Sequence, residues 1–279
     1  MLTINNLSYS YNRYHSVLDD ISTQIAPGIS LMLGENGAGK TTLLGLIAGL
    51  LISHQGDIYI DGENPAERQP SLMSDIFYLT DSWDSPFRDI ETTARLHGCF
   101  YPAFDHDMLA ENLKAFGLTG KEPLKGISLG MRRKSFIAYA LALRTKYLLL
   151  DEPANGLDID AKKTMRRLVS RCIGEDQTVV ISTHTIADLE MLYDSLIVIH
   201  DGRLLLNAHV AEIAARLSFV ESPAPLPDAL YLETEGALFH SIVPAQEPNQ
   251  TNINFELLYS ALVSGKAPEI LQILSNDDK

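Results

Sequence analysis

The stretch Gly34-Glu35-Asn36-Gly37-Ala38-Gly39-Lys40-Thr41-Thr42 decides the fold of this chain of 279 residues. It matches the pattern G-x-x-x-x-G-K-S/T, in which a glycine-rich loop wraps phosphate groups with its backbone N–H groups. The apolar run Ile29 to Leu33 predicts a buried strand before the loop, and Thr41 to Leu50 predicts a helix after it. A glycine-rich turn with a chance Lys-Thr pair is the alternative interpretation. The stretch predicts a nucleotide-binding α/β protein.

Each residue type in this loop has a task in phosphate binding. The backbone and the N-terminus of the following helix both favour a bound anion. Lys40 would pair with the β- and γ-phosphates, and the hydroxyl of Thr41 would reach Mg²⁺. The residues predicted to contact the nucleotide here are Asn36, Gly37, Ala38, Gly39, Lys40, Thr41 and Thr42.

A second apolar run, Tyr147 to Leu150, ends in two adjacent carboxylates, Asp151 and Glu152. Phosphoryl transfer needs an acid that holds Mg²⁺ and a group that orients the attacking water. Neighbouring residues at a strand end point in different directions, so Asp151 suits the metal and Glu152 suits the water. The alternative is that two acids merely mark the end of a buried strand.

A third run, Val179 to Thr183, is followed by His184. An isolated histidine is usually structural or solvated. In a parallel α/β sheet, however, functional groups gather at the carboxyl ends of the strands. His184 is therefore predicted to contact the γ-phosphate.

Taken together, these ordered elements resemble the ATPase subunit of an ATP-binding cassette (ABC) transporter, over roughly residues 1–215. Residues 34–42 resemble the Walker A loop, and Leu148 to Glu152 resemble Walker B with its catalytic glutamate. The other matching segments are the D-loop at Ala154 to Asp158, the signature at Ile127 to Met131 with Ser128 and Gly130 kept, the switch histidine at His184, and Tyr11 where the family stacks a ring on adenine.

The resemblance implies a P-loop NTPase core: a mixed, mostly parallel sheet, an antiparallel β subdomain and an inserted helical subdomain. It also implies that two such cassettes pair head to tail, since the signature lies too far from its own Walker A loop. Ser128 and Gly130 would then hold the γ-phosphate of the partner's ATP, helped by a helix N-terminus. The implied partners are a second ABC ATPase subunit, identical or paralogous, and a separate transmembrane permease.

Two departures from the family pattern stand out. The family usually carries a glutamine after the strand equivalent to Asp75 to Leu79, and here Asp81 is the positional match. A carboxylate at that position can reach Mg²⁺ directly or through water, so Asp81 is predicted as a third metal residue beside Thr41 and Asp151. In the signature, Leu129 and Met131 replace the usual glycine and glutamine.

Composition limits the classes of partner. The chain has 22 Lys and Arg against 36 Asp and Glu, a formal net charge of −14, which disfavours nucleic acid as a partner. Two cysteines do not make a disulfide framework and fit a reducing compartment. No apolar run is long enough for a transmembrane helix. The expected location is cytoplasmic, peripheral on the inner face of the cell membrane through a permease.

The predicted domains are an ATPase domain at 1–217 with a helical subdomain at about 82–140, a linker at 218–228, and a small α+β extension at 229–279. Aromatic residues of the helical subdomain, Trp83, Phe87, Phe100 and Tyr101, are expected in its core or in a groove for a helix of the membrane partner. The extension carries no chemical motif, and either packing on the core or assisting dimerisation fits its pattern.

The preferred interpretation is therefore a subunit that hydrolyses ATP to power an export-type transporter. The Leu-Gly-Met form of the signature and Phe100-Tyr101-Pro102 are similar to ATPases of drug- and bacitracin-type exporters. The alternative is a soluble ABC-type ATPase that acts on nucleic acid or the ribosome without a membrane partner. The acidic charge and the single cassette disfavour that alternative.

Overall fold

A six-stranded sheet forms the centre of the molecule, seen in a computed structural model that describes residues 1–12, 15–185, 193–245 and 253–275. In spatial order its strands are β5 (Ile76–Leu79), β6 (Tyr147–Asp151), β7 (Thr178–Thr183), β3 (Gly28–Leu33), β8 (Ser195–His200) and β9 (Arg203–His209). The first five are parallel, and β9 pairs antiparallel with β8 through the tight turn Asp201-Gly202. Both turn residues have positive φ, as a two-residue hairpin requires.

Both faces of this sheet are buried, which explains its near-continuous apolar strands. Side chains alternate between the faces. Met32 and Val180 face one hydrophobic cluster, whereas Leu31 and Ile181 face the other. The predicted mixed, mostly parallel sheet is confirmed.

The antiparallel sheet covers the first face. It has the order β2-β1-β4, from β1 (Leu2–Asn12), β2 (His15–Ile25) and β4 (Gln55–Ile60). Helix α1 (Lys40–Ile47) follows the glycine-rich loop and lies in the same cluster, with Leu43 and Leu44 fully buried. The short helix α2 (Pro70–Ser74) leads into β5.

Three helices lie between β5 and β6 in the chain, where the helical subdomain was predicted. They are α3 (Ile90–His97), α4 (His106–Ala115) and α5 (Leu129–Ala142). Trp83 packs edge-on against Phe136 at a ring-centroid distance of 4.6 Å and against Phe77 at 5.8 Å. These contacts support the core interpretation for Trp83, whereas Phe100 is 68% exposed.

Helices α6 (Ile159–Cys172) and α7 (Val210–Arg216) follow β6 and β9. Asp158 starts α6 by accepting a hydrogen bond from the amide of Ala161 at 2.7 Å. The apolar stripe of α6, which includes Met165, Leu168 and Val169, is buried in the second cluster. No helix within the described residues is both long and apolar enough to cross a membrane.

The C-terminal segment builds a third sheet, in the order β10-β12-β11, from β10 (Leu217–Ser222), β11 (Tyr231–Glu235) and β12 (Leu238–Pro244). The predicted linker at 218–228 is thus wrong over its first half. Residues 217–222 pair with 239–244 over six consecutive positions, and Leu217 is fully buried. Only the proline-rich part that follows Ser222 lacks regular structure.

Two helices complete the segment: α8 (Phe255–Ala261) and α9 (Ala267–Ser275), joined by a π-type turn at Leu262–Lys266. Apolar side chains of both, including Leu258 and Ile270, are buried in one cluster with Ile213 of α7 and Leu206 of β9. The extension therefore packs on the core, the first of the two roles that the sequence left open.

Candidate functional site

The glycine-rich loop closes tightly between β3 and α1. Gly39 has φ +105°, and a Cβ there would lie 2.6 Å from the side chain of Leu18. A Cβ on Gly34 would lie 2.3 Å from the carbonyl of Ile199. These two positions require glycine, which keeps the loop backbone free to curl around a phosphate.

Lys40 lies at the first position of α1 and is buried. Its Nζ donates to the carbonyl oxygens of Gly34, at 2.7 Å, and of Glu35, at 3.1 Å. The ammonium group is thus held inside the loop by neutral acceptors, at the position where an anion would sit. Hydrogen bonds from a charged donor to an anion are stronger than those to neutral carbonyls, so this buried ammonium group gains from a negatively charged ligand.

Glu152 is turned towards the loop. It follows β6 with φ +48°, and its amide donates to the hydroxyl of Ser182 at 3.0 Å. This conformation, uncommon outside glycine, aims the carboxylate away from the strand direction. Glu152 Oε1 lies 3.5 Å from Lys40 Nζ and 3.0 Å from His184 Nδ1. The three residues predicted as catalytic are brought together.

Asp151 is the centre of a second group, immediately beside the first. One carboxylate oxygen accepts from the hydroxyl of Thr41 at 2.8 Å, and the other accepts from Ser182 Oγ at 2.5 Å. The hydroxyl of Tyr78 lies 3.2 Å from the oxygen that Thr41 binds. Asp151 is almost fully buried, so these donors compensate the desolvation of its charge.

Tyr78 and Ser182 are functional candidates that the sequence interpretation missed. Both lie at carboxyl ends of strands adjacent in the sheet, on β5 and β7 either side of β6. Tyr78 also donates to the backbone carbonyl of Thr41 at 3.3 Å. Burial first, and then the Asp151 carboxylate, raises the pKa of Tyr78, which keeps the phenol protonated as a donor. The sequence signal that could have identified Tyr78 and Ser182 is a polar residue near the carboxyl end of a strand in the parallel sheet.

Tyr11 reaches the same helix from the antiparallel sheet. Its hydroxyl lies 3.2 Å from Thr42 Oγ1, and its ring meets Tyr9 edge-on at 5.1 Å. Tyr11 is 60% exposed. This position suits the predicted stacking on a nucleobase.

Comparisons with known proteins agree with this geometry. A family model described as "ABC transporter" matches residues 18–155. The ABC transporter ATP-binding protein NatA of Bacillus subtilis is 32% identical over 216 residues, which cover 74% of this chain and 88% of NatA. The chain belongs to the ABC transporter ATP-binding proteins.

Two further matches are consistent with that family. The bacitracin transport ATP-binding protein BcrA of Bacillus licheniformis is 33% identical over 208 residues, covering 72% of this chain and 67% of BcrA. A solved ATP-binding subunit of an ABC transporter has the same fold, with a TM-score of 0.67 at 24% identity over 76% of this chain and 91% of that one. This ABC ATPase therefore binds and hydrolyses ATP.

Asp81 does not join the group around Asp151 in this ABC ATPase. Its carboxylate accepts a short hydrogen bond from Nη2 of Arg133, a buried residue of α5. Arg133 Nη1 also donates to the carbonyl of Thr80 at 3.3 Å. Within the described residues, no hydrogen bond or ion pair joins Asp81 to Thr41 or Asp151. A metal role for Asp81 stays a prediction.

The signature residues form a separate surface. Ser128 caps α5 by accepting from the amide of Met131 at 3.2 Å. The Cβ position of Gly130 lies 3.1 Å from the carbonyl of Gly156 in the D-loop. Lys134 donates to Asp158 at 3.0 Å and ties α5 to the start of α6.

The start of α5, with Ser128 and Gly130, is thus linked to the start of α6, with Asp158, through the contacts of Gly130 with Gly156 and of Lys134 with Asp158. In the described part of the chain, no hydrogen bond joins them to the glycine-rich loop. The pKa of Asp158 is lowered by the amide of Ala161 first and by Lys134 second, so the cap stays charged.

The oxygen ligands around Asp151 fit a magnesium site that is completed by phosphate and water. They do not fit a site in which protein side chains supply all the ligands. No cluster of three or more His, Cys, Asp or Glu side chains suited to a metal occurs among the described residues. Mg²⁺ is usually bound through one or two carboxylates together with substrate phosphates and water. One buried carboxylate beside a threonine hydroxyl, next to a phosphate-binding loop, matches that preference.

Proposed function

We propose that this ABC ATPase hydrolyses Mg²⁺-bound ATP at a head-to-tail dimer interface and powers an export-type membrane transporter. The observation that carries the proposal is the position of Glu152. Its carboxylate lies within 3.5 Å of both Lys40 and His184, beside the Thr41–Asp151 pair. A carboxylate at this position can orient and deprotonate water at the γ-phosphate.

The chain's own residues supply the positioning on which phosphoryl transfer depends. Lys40 exchanges its loop carbonyls for phosphate oxygens, and the loop amides with the α1 N-terminus hold the same phosphates. Thr41 and Asp151 would hold Mg²⁺, which neutralises phosphate charge when bound. Glu152 accepts a proton from the attacking water, and His184 donates to the γ-phosphate while lying against Glu152.

The separation of the two surfaces supports the proposed dimer. Ser128 and Gly130 lie at the start of α5, a 14-residue helix whose N-terminus favours a bound anion. A second cassette, rotated head to tail, would place its own Ser128 and Gly130 over the γ-phosphate bound here. Asp158 then supports that surface through Lys134.

A separate transmembrane permease is the proposed membrane partner. NatA and BcrA carry names of transport ATP-binding proteins, and BcrA is named for bacitracin transport. We infer that this chain likewise hydrolyses ATP on the cytoplasmic face of the membrane, while a separate permease spans the membrane. Export as the direction rests on the bacitracin relative and on the Leu-Gly-Met form of the signature.

Affinity purification from detergent-solubilised native membranes tests this proposal, with the co-purifying proteins identified by mass spectrometry. We expect a stoichiometric polytopic membrane protein and ATP hydrolysis by the purified complex. Recovery with ribosomes or nucleic acid, and without a membrane protein, would instead support a soluble ABC-type ATPase. A preparation that binds no ATP would overturn the enzymatic part as well.

A further inference from the structure

Helix α8 of the C-terminal segment lies against the glycine-rich loop, more than 200 residues away in the chain. Between them is a cavity of about 440 Å³. The glycine-rich loop contributes Gly34, Glu35 and Asn36 to the cavity, and the segment after β7 contributes His184 and Thr185. Helix α8 contributes Glu256, Tyr259 and Ser260. The α8 residues therefore share one cavity with two elements of the ATPase site.

The helix is firmly placed. On its inner face, Leu257, Leu258 and Ala261 are buried in the second hydrophobic cluster, the one that contains Leu31 and Ile181 of the central sheet. Phe255 at its start meets the ring of Tyr193 edge-on, at a centroid distance of 5.3 Å. Because this apolar face is fixed in the core, the polar face of α8 is directed at the loop and not at solvent alone.

Tyr259 connects α8 to the first residues of the loop. Its hydroxyl oxygen is inaccessible to water. Tyr259 and Glu35 line the same cavity. Burial first, and then the Glu35 carboxylate, raises the pKa of Tyr259. A rigid aromatic ring at this point limits the positions available to the start of the loop.

We propose that α8 forms a wall of the ATP site at its γ-phosphate end, and that Glu256 selects against the triphosphate relative to the diphosphate. The inference rests on the proposed function, because His184 marks the γ-phosphate end only if this site binds ATP as described. In this arrangement Glu256 is a specificity-determining residue and Tyr259 is a positioning residue.

Charge decides the direction of the effect of Glu256. ATP carries more negative charge than ADP, and the additional charge lies on the γ-phosphate, next to His184. An exposed carboxylate on the wall of the same cavity repels that charge, with an energy that salt screens. Removal of the carboxylate charge should strengthen ATP binding more than ADP binding.

The test uses the full-length chain in a Glu152→Gln background, which prevents turnover, and measures dissociation constants of ATP and ADP with Mg²⁺. Glu256→Gln is expected to tighten ATP binding about two- to threefold, as a single screened charge allows, and to leave ADP unchanged. The gain should shrink in 0.5 M salt, a concentration chosen for strong screening, on the order of a 4–5 Å Debye length. Glu269→Gln is the matched control, because Glu269 lies on α9 and pairs with Lys266 at 2.9 Å.

Tyr259→Phe provides an independent arm of the same experiment. Loss of the Tyr259 hydroxyl, in the cavity that Glu35 also lines, should weaken ATP and ADP binding by the same factor, with no change in their ratio. Tyr59→Phe, on the antiparallel sheet, is the control for a tyrosine remote from the loop. An unchanged ATP to ADP ratio in Glu256→Gln would overturn the inference, whereas absence of saturable ATP binding in the background protein would overturn the proposed function.

Discussion

Glu152 Oε1 lies 3.0 Å from Nδ1 of His184, although 31 residues separate the two along the chain. They meet because β6 and β7 are parallel neighbours with Asp151 opposite Ser182. The positive φ of Glu152 then brings its carboxylate back over the strand ends. His184 is thereby held where it can support both the carboxylate and a phosphate.

The first prediction concerns Glu152→Gln. The amide cannot accept the proton of the attacking water, so we expect ATP hydrolysis to fall by at least about 100-fold. ATP binding should persist, since Lys40 and the loop are intact, and the variant should elute as an ATP-dependent dimer in gel filtration. Steady-state turnover and elution volume are the measurements. Glu175→Gln is the matched control, because it makes the same substitution at an exposed residue.

A coupled version of this experiment adds His184→Gln. Because Glu152 and His184 act as a unit, the double variant should be little slower than Glu152→Gln alone. Wild-type turnover in Glu152→Gln would contradict the catalytic assignment.

The second prediction concerns Tyr78→Phe. The substitution removes a hydroxyl that lies 3.2 Å from Asp151 and leaves the ring in place. Partners of metal-binding carboxylates orient them, so the Mg²⁺ concentration needed for half-maximal activity should rise about tenfold. Affinity for metal-free ATP should not change. Mn²⁺ binding followed by electron paramagnetic resonance measures the effect without turnover.

Tyr59→Phe again serves as the control for the loss of a tyrosine hydroxyl. If Tyr78→Phe bound Mn²⁺ as tightly as the unmodified protein, Tyr78 would have no role in metal positioning.

Much of the site follows from local pattern. The loop, the two acids at the end of β6 and the histidine after β7 each lie at the carboxyl end of a buried apolar run, and parallel strands bring such ends together. Predicted strand bounds were close as well: Ile29 to Leu33 was expected, and β3 is Gly28–Leu33. The apolar runs and the glycine-rich loop motif are therefore enough to predict these strands and the residues at their ends.

Other features depend on contacts between distant segments. The prolines that follow residues 218–222 predict a linker, but pairing with 239–243 makes 218–222 a strand. The position of α8 beside the loop has no local signal, since it arises from burial of its apolar face. The pairing of Asp81 with Arg133 likewise depends on where α5 packs against the end of β5.

The third prediction concerns pH and His97. Its ring lies among aromatic side chains, with Nδ1 2.7 Å from the hydroxyl of Tyr139. Burial lowers the pKa of His97 below its usual range, so the unfolded chain takes up the proton more readily than the folded one. The stabilising contribution is therefore complete above the ordinary pKa of about 6.5 and is lost as the pH falls towards the folded-state value.

Thermal denaturation at several pH values measures this contribution. The melting temperature of wild type should fall between pH values of about 7 and 5.5, and the fall should be smaller in His97→Phe. His54→Phe is the control, because His54 is exposed. Equal pH dependence in wild type and His97→Phe would exclude His97 as the titrating group.

The last prediction separates two roles for Asp81. Arg133 is 5% exposed and Asp81 is 60% exposed, so the carboxylate supplies the charge that a buried guanidinium needs. Asp81→Asn should lower the free energy of unfolding by about 1 kcal/mol, a value typical of a partly exposed pair. The Mg²⁺ requirement should be unchanged, since no hydrogen bond among the residues that the structure describes links Asp81 to Thr41 or Asp151.

A double-mutant cycle with Arg133→Gln isolates the interaction, and the loss from Asp81→Asn should largely disappear once Arg133 is absent. Asp160→Asn, at a residue 95% exposed and 4.0 Å from Lys163, is the control for an exposed pair. A raised Mg²⁺ requirement with unchanged stability would give the opposite answer. In that case Asp81 would release Arg133 in the nucleotide-bound state and serve the metal, as its position in the sequence predicts.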